Sequence, residues 1–185
     1  MLTIVIPPSE EADIWDESIK EFVHKDAFKG CTLNLEHSLI SISKWEAKWH
    51  VPFLDSPKKT EEQTMYYIKC MTINPAISDS VYDHLTIQNV NEIADYIHDP
   101  MTATTVNNQG QGGRRRILTN EVIYGMMAVL QIPFECEKWH LNRLLTLIEV
   151  VNAENTPPKK MSKNEIIARN KALNAQRRAK YNSKG

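Results

Sequence analysis

Short runs of β-branched and alternating residues dominate the first 36 positions of the chain. Residues 2–6 are mostly β-branched and are followed by two prolines, which predicts a short strand. Residues 9–18 are rich in acidic side chains and predict a loop. The alternating runs 21–25 and 31–36 flank a connection that contains a glycine, and we therefore expect them to form a β-hairpin.

Helical periodicity replaces this alternation from residue 39 onward. Apolar side chains recur at intervals of three and four residues, as expected where one face of a helix packs on a core. Four such stripes consist of Leu39, Ile42, Trp45 and Trp49; of Met65, Ile68 and Met71; of Val90, Ile93 and Ile97; and of Val122, Ile123, Met126, Met127 and Leu130. A further helical turn is predicted over 78–85.

Polar residues and prolines set the predicted limits of these helices. Thr60 precedes Gln63 by three positions, the spacing of a capping box in which each residue satisfies a backbone amide. Thr119 is placed to cap the fourth helix. Pro52 and Pro133 should end the first and fourth helices, because proline lacks the amide hydrogen that a helix interior needs.

Two further segments complete the predicted body. Residues 135–153 carry the longest strongly apolar pattern, with only a narrow polar face, and they predict the central helix of the core. A Thr-rich run over 101–106 and a return over 114–118 enclose a glycine-rich loop, which predicts a second hairpin.

The last thirty residues have a different character. Pro157 and Pro158 stiffen a linker, and Ser162 with Glu165 forms a second capping box that should begin a helix over 163–180. The apolar face of this helix is too thin to anchor it firmly to a core.

The predicted fold is therefore α+β and mainly α-helical. Residues 1–155 should form a globular domain in which an N-terminal strand and one or two β-hairpins pack on a helical core. Residues 156–185, called the basic arm below, should form a proline linker and an exposed basic C-terminal helix.

Charge is distributed unevenly between these two regions. The chain has 22 basic and 23 acidic side chains, a formal net charge of -1. The basic arm holds nine of the basic side chains and a single acid, whereas 1–155 hold 13 basic and 22 acidic ones. An acidic body joined to a basic arm indicates that the arm binds something acidic. The target could be nucleic acid, a protein partner or the acidic body of another copy.

Composition argues against several classes of protein. A hydrophobic fraction of 42% suffices for a packed core. No apolar run approaches the roughly 18 residues of a membrane-spanning helix, and the first residues do not have the pattern of a secretory signal. Three widely spaced cysteines, Cys31, Cys70 and Cys136, argue against a disulfide framework and favour a reducing compartment.

Candidate chemistry is sparse. Cys136 and His140 are four residues apart and could share a metal ion, but a zinc site needs about four ligands at recognisable spacing. Packing is the better interpretation of this pair, since free cysteine is commonly buried. No nucleophile motif or phosphate-binding signature is present. We therefore predict no catalytic, cofactor-binding or metal-ligating residue, and no enzyme activity.

The sharpest local feature is the run of three arginines after a Gly-rich loop at 110–113. Small residues expose backbone amides and the arginines add charge, which is typical of an anion-binding loop, although a solvated hairpin tip is the plainer interpretation. Together with the arm, these residues make up the predicted partner-binding set: Arg114, Arg115, Arg116, Lys159, Lys160, Lys163, Arg169, Lys171, Arg177, Arg178 and Lys180.

Six segments resemble a family of small tailed-bacteriophage proteins. They are 35–46 (LEHSLISISKWE), 60–63 (TEEQ), 67–72 (YIKCMT), 132–148 (IPFECEKWHLNRLLTLI), 157–162 (PPKKMS) and 172–178 (ALNAQRR). The resemblance covers most of 30–185. Members of this family are usually considered tail assembly chaperones or structural proteins of the phage.

The resemblance implies a non-enzymatic chaperone that binds the tape measure protein in the host bacterial cytoplasm and recruits tail tube subunits. An alternative is a structural virion component of the neck, tail or baseplate, with the basic arm docked on neighbouring virion proteins. A third is a phage nucleic-acid-binding protein that uses Arg114–Arg116 and the basic arm. A homo-oligomer is compatible with each alternative, and no membrane partner or cofactor is expected.

Overall fold

The computed structural model describes residues 1–17, 20–56, 58–105, 117–155 and 162–182. Helix predominates over strand, which confirms the predicted α+β, mainly helical class. The elements are β1 (Leu2–Ile6), β2 (Ala12–Asp16), β3 (Glu21–Lys25), β4 (Cys31–Leu35), α1 (Leu39–Trp49), α2 (Glu61–Met71), a 3-10 helix (Asp79–His84), α3 (Ile87–His98), α4 (Asn120–Val129), a second 3-10 helix (Phe134–Lys138), α5 (Leu141–Asn155) and α6 (Lys163–Tyr181).

The strands pair differently from the prediction. β4 pairs antiparallel with β1, from Leu2 opposite Leu35 to Ile6 opposite Cys31, and β3 pairs with β2. The predicted hairpin between 21–25 and 31–36 is therefore wrong, and so is the loop over 9–18, because 12–16 form a strand. The β1–β4 pairing prevails because it places the inward side chains of both strands in the core, where Ile6 and Leu35 are inaccessible to solvent.

Gly30 makes this pairing possible at the start of β4. Its φ is +81°, in the left-handed region that favours glycine. A Cβ atom at this position would lie 3.1 Å from the carbonyl oxygen of Ile6 and 3.2 Å from the nitrogen of Pro8. The chain therefore enters β4 against the end of β1 at a distance that a side chain would obstruct.

The second predicted hairpin is wrong where it can be compared. Residues 101–105 and 117–118 form no strand, and 106–116 lie outside the described residues. Met101 has a positive φ of 51°, and its amide donates to Asp99 Oδ1 at 2.7 Å. The Thr104 amide donates to Thr102 Oγ1 at 3.1 Å. Such local side-chain bonds turn the backbone and compete with strand pairing.

The helices follow the predicted apolar stripes with small differences at their ends. Both predicted capping boxes are present, at Thr60–Gln63 and at Ser162–Glu165. α1 ends at Trp49 with His50 in the left-handed conformation, before Pro52 is reached. On α3 Val90 is exposed, and the buried face consists of Asn89, Ile93 and Tyr96.

The predicted helix over 135–153 begins six residues later, at Leu141. Its first part is the 3-10 helix that ends at Lys138, and the chain is then extended at Trp139. His140 pairs with Ser38 in an isolated bridge, and the Leu141 amide donates to the carbonyl oxygen of His37 at 2.7 Å. A tertiary pairing with the segment before α1 therefore delays the start of α5.

The described residues fall into two compact units, Met1–Asn152 and Ala153–Gly185. The first unit contains one core, to which both β1–β4 and the helices α1 to α5 contribute. Its largest fully buried side chains are Trp45, Ile4, Ile6, Leu33, Leu35, Leu39, Ile42, Ile68, Met71, Ile123, Met127 and Leu141. No helix in the described part of the chain is both long and apolar enough to cross a bilayer.

Candidate functional site

The predicted partner-binding residues divide into two groups. Arg114, Arg115, Arg116, Lys159 and Lys160 lie outside the described residues. The other six lie on α6, where every one of them is exposed: Lys163, Arg169, Lys171, Arg177, Arg178 and Lys180. The structure thus brings the described members of the set together on a single helix.

Local hydrogen bonds stabilise the start of α6. The Glu165 amide donates to Ser162 Oγ at 3.3 Å, and Glu165 Oε2 accepts from the Ser162 amide at 2.7 Å. These bonds from the Ser162 backbone and side chain lower the pKa of the Glu165 carboxyl, so it is ionised at neutral pH. Its negative charge at the helix N-terminus also interacts favourably with the helix dipole, which stabilises the helix.

The two sides of α6 differ in chemistry. With 3.6 residues per turn, Ala168, Ala172, Ala175 and Ala179 fall along one side of the helix. The six basic residues are spread over the rest of the circumference, which also carries the exposed Ile166 and Leu173 and is called the basic side of α6 below. This basic side of α6 joins positive charge to apolar contact area, as a surface that recognises an acidic protein requires.

A buried polar cluster occupies the first unit between β4, α2, α3 and the start of α5. Glu36 accepts a hydrogen bond from the Tyr96 hydroxyl at 2.6 Å, and its second oxygen lies 2.8 Å from the Met1 ammonium group. His37 Nδ1 lies 2.5 Å from the Tyr67 hydroxyl, and the His140 ring is edge-on to His37 with the centroids 5.0 Å apart.

Burial keeps both imidazoles of this cluster neutral. It lowers the pKa of His37 to about 3, with a further contribution from repulsion by His140. It also lowers the pKa of His140, although the hydrogen bond from His140 Nε2 to the Tyr96 carbonyl oxygen opposes this effect. His140 Nδ1 is buried and has no hydrogen-bond partner among the described residues. The cluster therefore supplies packing and hydrogen bonds.

The cysteines do not complete a reactive or metal-binding site within the described residues. Cys70 and Cys136 are buried, and burial raises the pKa of the Cys70 thiol, which disfavours the nucleophilic thiolate. No group of three or more His, Cys, Asp or Glu side chains in 1–17, 20–56, 58–105, 117–155 or 162–182 is placed to hold a metal ion.

Glu46 fixes the start of α4 from a distant part of the chain. Its Oε2 accepts from the Asn120 amide at 2.8 Å and from Asn120 Nδ2 at 2.6 Å, and its Oε1 accepts from the Phe53 amide at 2.7 Å. Thr119 occupies the predicted cap position but makes no capping bond with its side chain. A buried carboxylate thus replaces the predicted cap.

An open groove runs between α4 and α5 on the first unit. Its volume is about 750 Å³, and its apolar lining includes Val122, Met126, Val129, Leu130, Leu145 and Ile148. Glu121 and Glu149 also line it. We call this surface the α4–α5 groove.

Sequence reasoning missed the α4–α5 groove because the apolar stripe of α4 was assigned to the core. Only Ile123 and Met127 of that stripe are fully buried, whereas Val129 beside it is 82% exposed. Gly125 in the middle of α4 was a usable signal, since glycine in a helix interior is unfavourable unless something requires it.

Comparison with protein-family models, with curated proteins and with solved structures finds no match for this chain.

Proposed function

We propose that this protein is a non-enzymatic tail assembly chaperone of a tailed bacteriophage, and that it holds its client through the basic side of α6. The observation that carries the proposal is the exposure of this helix. α6 has 19 residues and none of them is buried. Ile166, Ile167 and Leu173 are exposed on it beside the basic side chains.

Charge supports an acidic protein as the client. Residues 156–185 hold nine basic side chains and one acid. The arm has few aromatic residues to stack on bases, since Tyr181 is the single aromatic in 156–185. The tape measure protein is the client that the family resemblance implies, and the tail tube subunits are the second set of partners.

The interior of the first unit supports a role without catalysis. The buried Glu46 carboxylate, for example, accepts hydrogen bonds from the backbone amides of Asn120 and Phe53. His37 is neutral and packed between Tyr67 and His140. These groups stabilise the fold and are not presented to a substrate.

Co-expression with the tape measure protein of the same phage tests the proposal in the host cytoplasm, where assembly would occur. The wild-type chain should keep the tape measure protein soluble and co-purify with it. The double substitution Arg177→Glu and Arg178→Glu should reduce recovery at least tenfold, because it reverses two charges on the basic side of α6. A matched double substitution on the first unit, Lys58→Glu and Lys138→Glu, changes the net charge equally and should leave recovery unchanged.

Two outcomes would refute the proposal in favour of the alternatives. Detection of the chain in purified virions at a fixed copy number would indicate a structural component of the neck, tail or baseplate. Salt-sensitive binding to DNA that the Arg177→Glu and Arg178→Glu substitutions abolish, without capture of the tape measure protein, would indicate a nucleic-acid-binding protein.

A further inference from the structure

We infer that this protein binds a second copy of itself, by contact between the basic side of α6 in one copy and an exposed face of the β2–β3 pair in the other. This face, called the acidic aromatic face below, is formed by Glu11, Asp13, Trp15, Phe22, His24 and Asp26. The inference shares α6 with the proposed function, but it also requires residues of β2 and β3 that the proposed function does not use.

The register of β2 and β3 brings these side chains together. Asp13 is opposite His24, and Trp15 is opposite Phe22. Alternate residues of a strand point to the same face of a sheet, so the two pairs lie side by side on one face. The rings of Trp15 and Phe22 meet edge-on, with their centroids 5.1 Å apart. An aromatic pair therefore lies next to a charged pair.

The aromatic pair is open to solvent. Trp15 is 49% exposed and Phe22 is 70% exposed. β2 and β3 form a two-stranded sheet of their own and pair with no other strand in the described part of the chain. Adjacent exposed aromatic side chains are typical of surfaces that contact another protein.

The carboxylates of this face outnumber its single imidazole. His24 Nδ1 lies 2.8 Å from Asp13 Oδ1, and His24 Nε2 lies 3.2 Å from Glu11 Oε1 and 3.7 Å from Asp26 Oδ1. Among the described residues, His24 is the only cationic partner of these three carboxylates, each of which is at least 67% exposed. The face therefore keeps an excess of negative charge even when His24 is protonated, and a cation of another molecule can reach it.

α6 carries the complementary groups. Leu173, Arg177 and Lys180 occur at i, i+4 and i+7, so they lie along the same side of this helix, where all three are exposed. A guanidinium group stacks on an aromatic ring and donates two hydrogen bonds to a carboxylate, and a neighbouring leucine extends the apolar contact. α6 is about 28 Å long and a five-residue strand is about 17 Å long, so one helix spans the whole face.

A second copy is the occupant for which both surfaces are present in the same chain. Residues 156–185 hold nine basic side chains and one acid, whereas residues 9–29 hold seven acids and three lysines. Because each copy carries one acidic aromatic face and one α6, the contacts are head-to-tail and produce closed rings or open chains. A client that binds α6 would compete with these contacts, so the client-free protein is the more associated form.

Sedimentation velocity of the full chain tests the inference. The purified protein, free of its client, should sediment as monomers and larger species, and the share of the larger species should rise with protein concentration. Raising the salt concentration shortens the Debye length from about 10 Å at 0.1 M to about 3 Å at 1 M and should shift the mixture towards the monomer. A chain that stays monomeric at every concentration in low salt would overturn the inference, whichever other molecule the face binds.

Charge reversal identifies the two surfaces. Glu11→Lys with Asp13→Lys, the face variant, should weaken association at least tenfold, and so should Arg177→Glu with Lys180→Glu, the helix variant. A chain that carries all four substitutions should recover most of the association, because its two surfaces are again of opposite charge. If the fourfold variant associates no better than the face variant, the two surfaces do not meet and the inference is wrong.

Two controls separate this contact from general charge effects and from the proposed function. Asp95→Lys with Glu135→Lys, at exposed positions elsewhere on the first unit, changes the net charge as the face variant does and should leave association unchanged. Equal weakening by this control and by the face variant would overturn the inference. The face variant should also capture the tape measure protein at least as well as the wild type, so the two proposals can fail independently.

Discussion

α5 and α6 are the two longest helices in the described part of the chain, and they are stabilised in opposite ways. α5 has 15 residues and buries Leu141, Leu144 and Ile148 in the core. α6 has 19 residues and buries none. α5 owes its position to apolar burial and to the pairing of His140 with Ser38. α6 depends on alanine content and on the capping box of Ser162 and Glu165.

The difference shows how one chain can hold a rigid element and a surface for partners. Tertiary packing fixes α5 and leaves only part of its circumference accessible. α6 forms from local interactions, so almost all of its surface is available for contacts with another molecule. The helical state alone therefore does not distinguish α5, which is packed in the core, from α6, which is exposed; the burial of their side chains does.

The largest expected difference comes from matched leucine truncations. Leu144→Ala should lower the free energy of unfolding by about 2–5 kcal/mol, because it leaves a cavity in the core. Leu173→Ala on α6 should leave it nearly unchanged, since Leu173 is 39% exposed. Urea unfolding followed by circular dichroism measures both, and similar losses would contradict the comparison.

Acid should destabilise the first unit while α6 persists. The pKa of His37 is about 3 when folded and about 6.5 when unfolded, so the unfolded state binds the proton first. Stability is therefore complete above pH 6.5 and is lost as the pH falls towards 3, by about 3 kcal/mol between pH 7 and pH 4. His140 contributes in the same direction, because its pKa is also lowered.

Urea unfolding at pH 7, 5.5 and 4 tests this expectation. The exposed His24 is a suitable control, because the Asp13 carboxylate raises its pKa. Removal of the His24 side chain should leave the loss of stability in acid unchanged. The capping bonds of Glu165 should keep α6 helical until the pH falls below the usual range of that carboxyl. A midpoint that does not change between pH 7 and pH 4 would exclude the role assigned to His37.

Matched cap substitutions should have smaller effects that appear in different measurements. Thr60→Ala removes the cap of α2, which is packed on the core, and should lower the free energy of global unfolding by about 1 kcal/mol. Ser162→Ala should reduce helicity and amide protection at the start of α6 and leave global unfolding unchanged. A shift of the global midpoint by Ser162→Ala would show that α6 unfolds together with the core.

Removal of residues 156–185 should have the smallest effect on the body. No residue of α6 is buried, so its loss should change the free energy of unfolding by less than about 1 kcal/mol, or under about 4 °C in the thermal midpoint. A larger fall in a differential scanning calorimetry experiment would show that the arm contributes to the stability of 1–155.

Local patterns were predictable from sequence, and long-range pairings were not. The capping boxes at Thr60 and Ser162 follow from three-residue spacing, whereas the one at Thr86 was missed because Asn89 takes the place of the usual Glu or Gln. The pairing of β1 with β4 was missed because 9–18 were assigned to a loop, so that β3, the preceding strand in sequence, was taken as the partner of β4.

The two candidate sites also differ in how far the sequence predicts them. The exposed basic residues of α6 were identified from charge and capping signals. The α4–α5 groove depends on how α4 and α5 pack together across the connection 130–140, which periodicity does not specify. Gly125 was a signal available in the sequence, whereas the acidic lining became apparent only when that packing was known.

The hydrogen bonds of Glu46 also bear on the order of events during folding. The carboxylate meets Asn120 across a sequence separation of 74 residues, so a long loop must close before the contact forms. Contacts of this kind that form after the rate-limiting step slow unfolding more than they accelerate folding. We therefore expect removal of the Glu46 carboxylate to accelerate unfolding more than it slows folding.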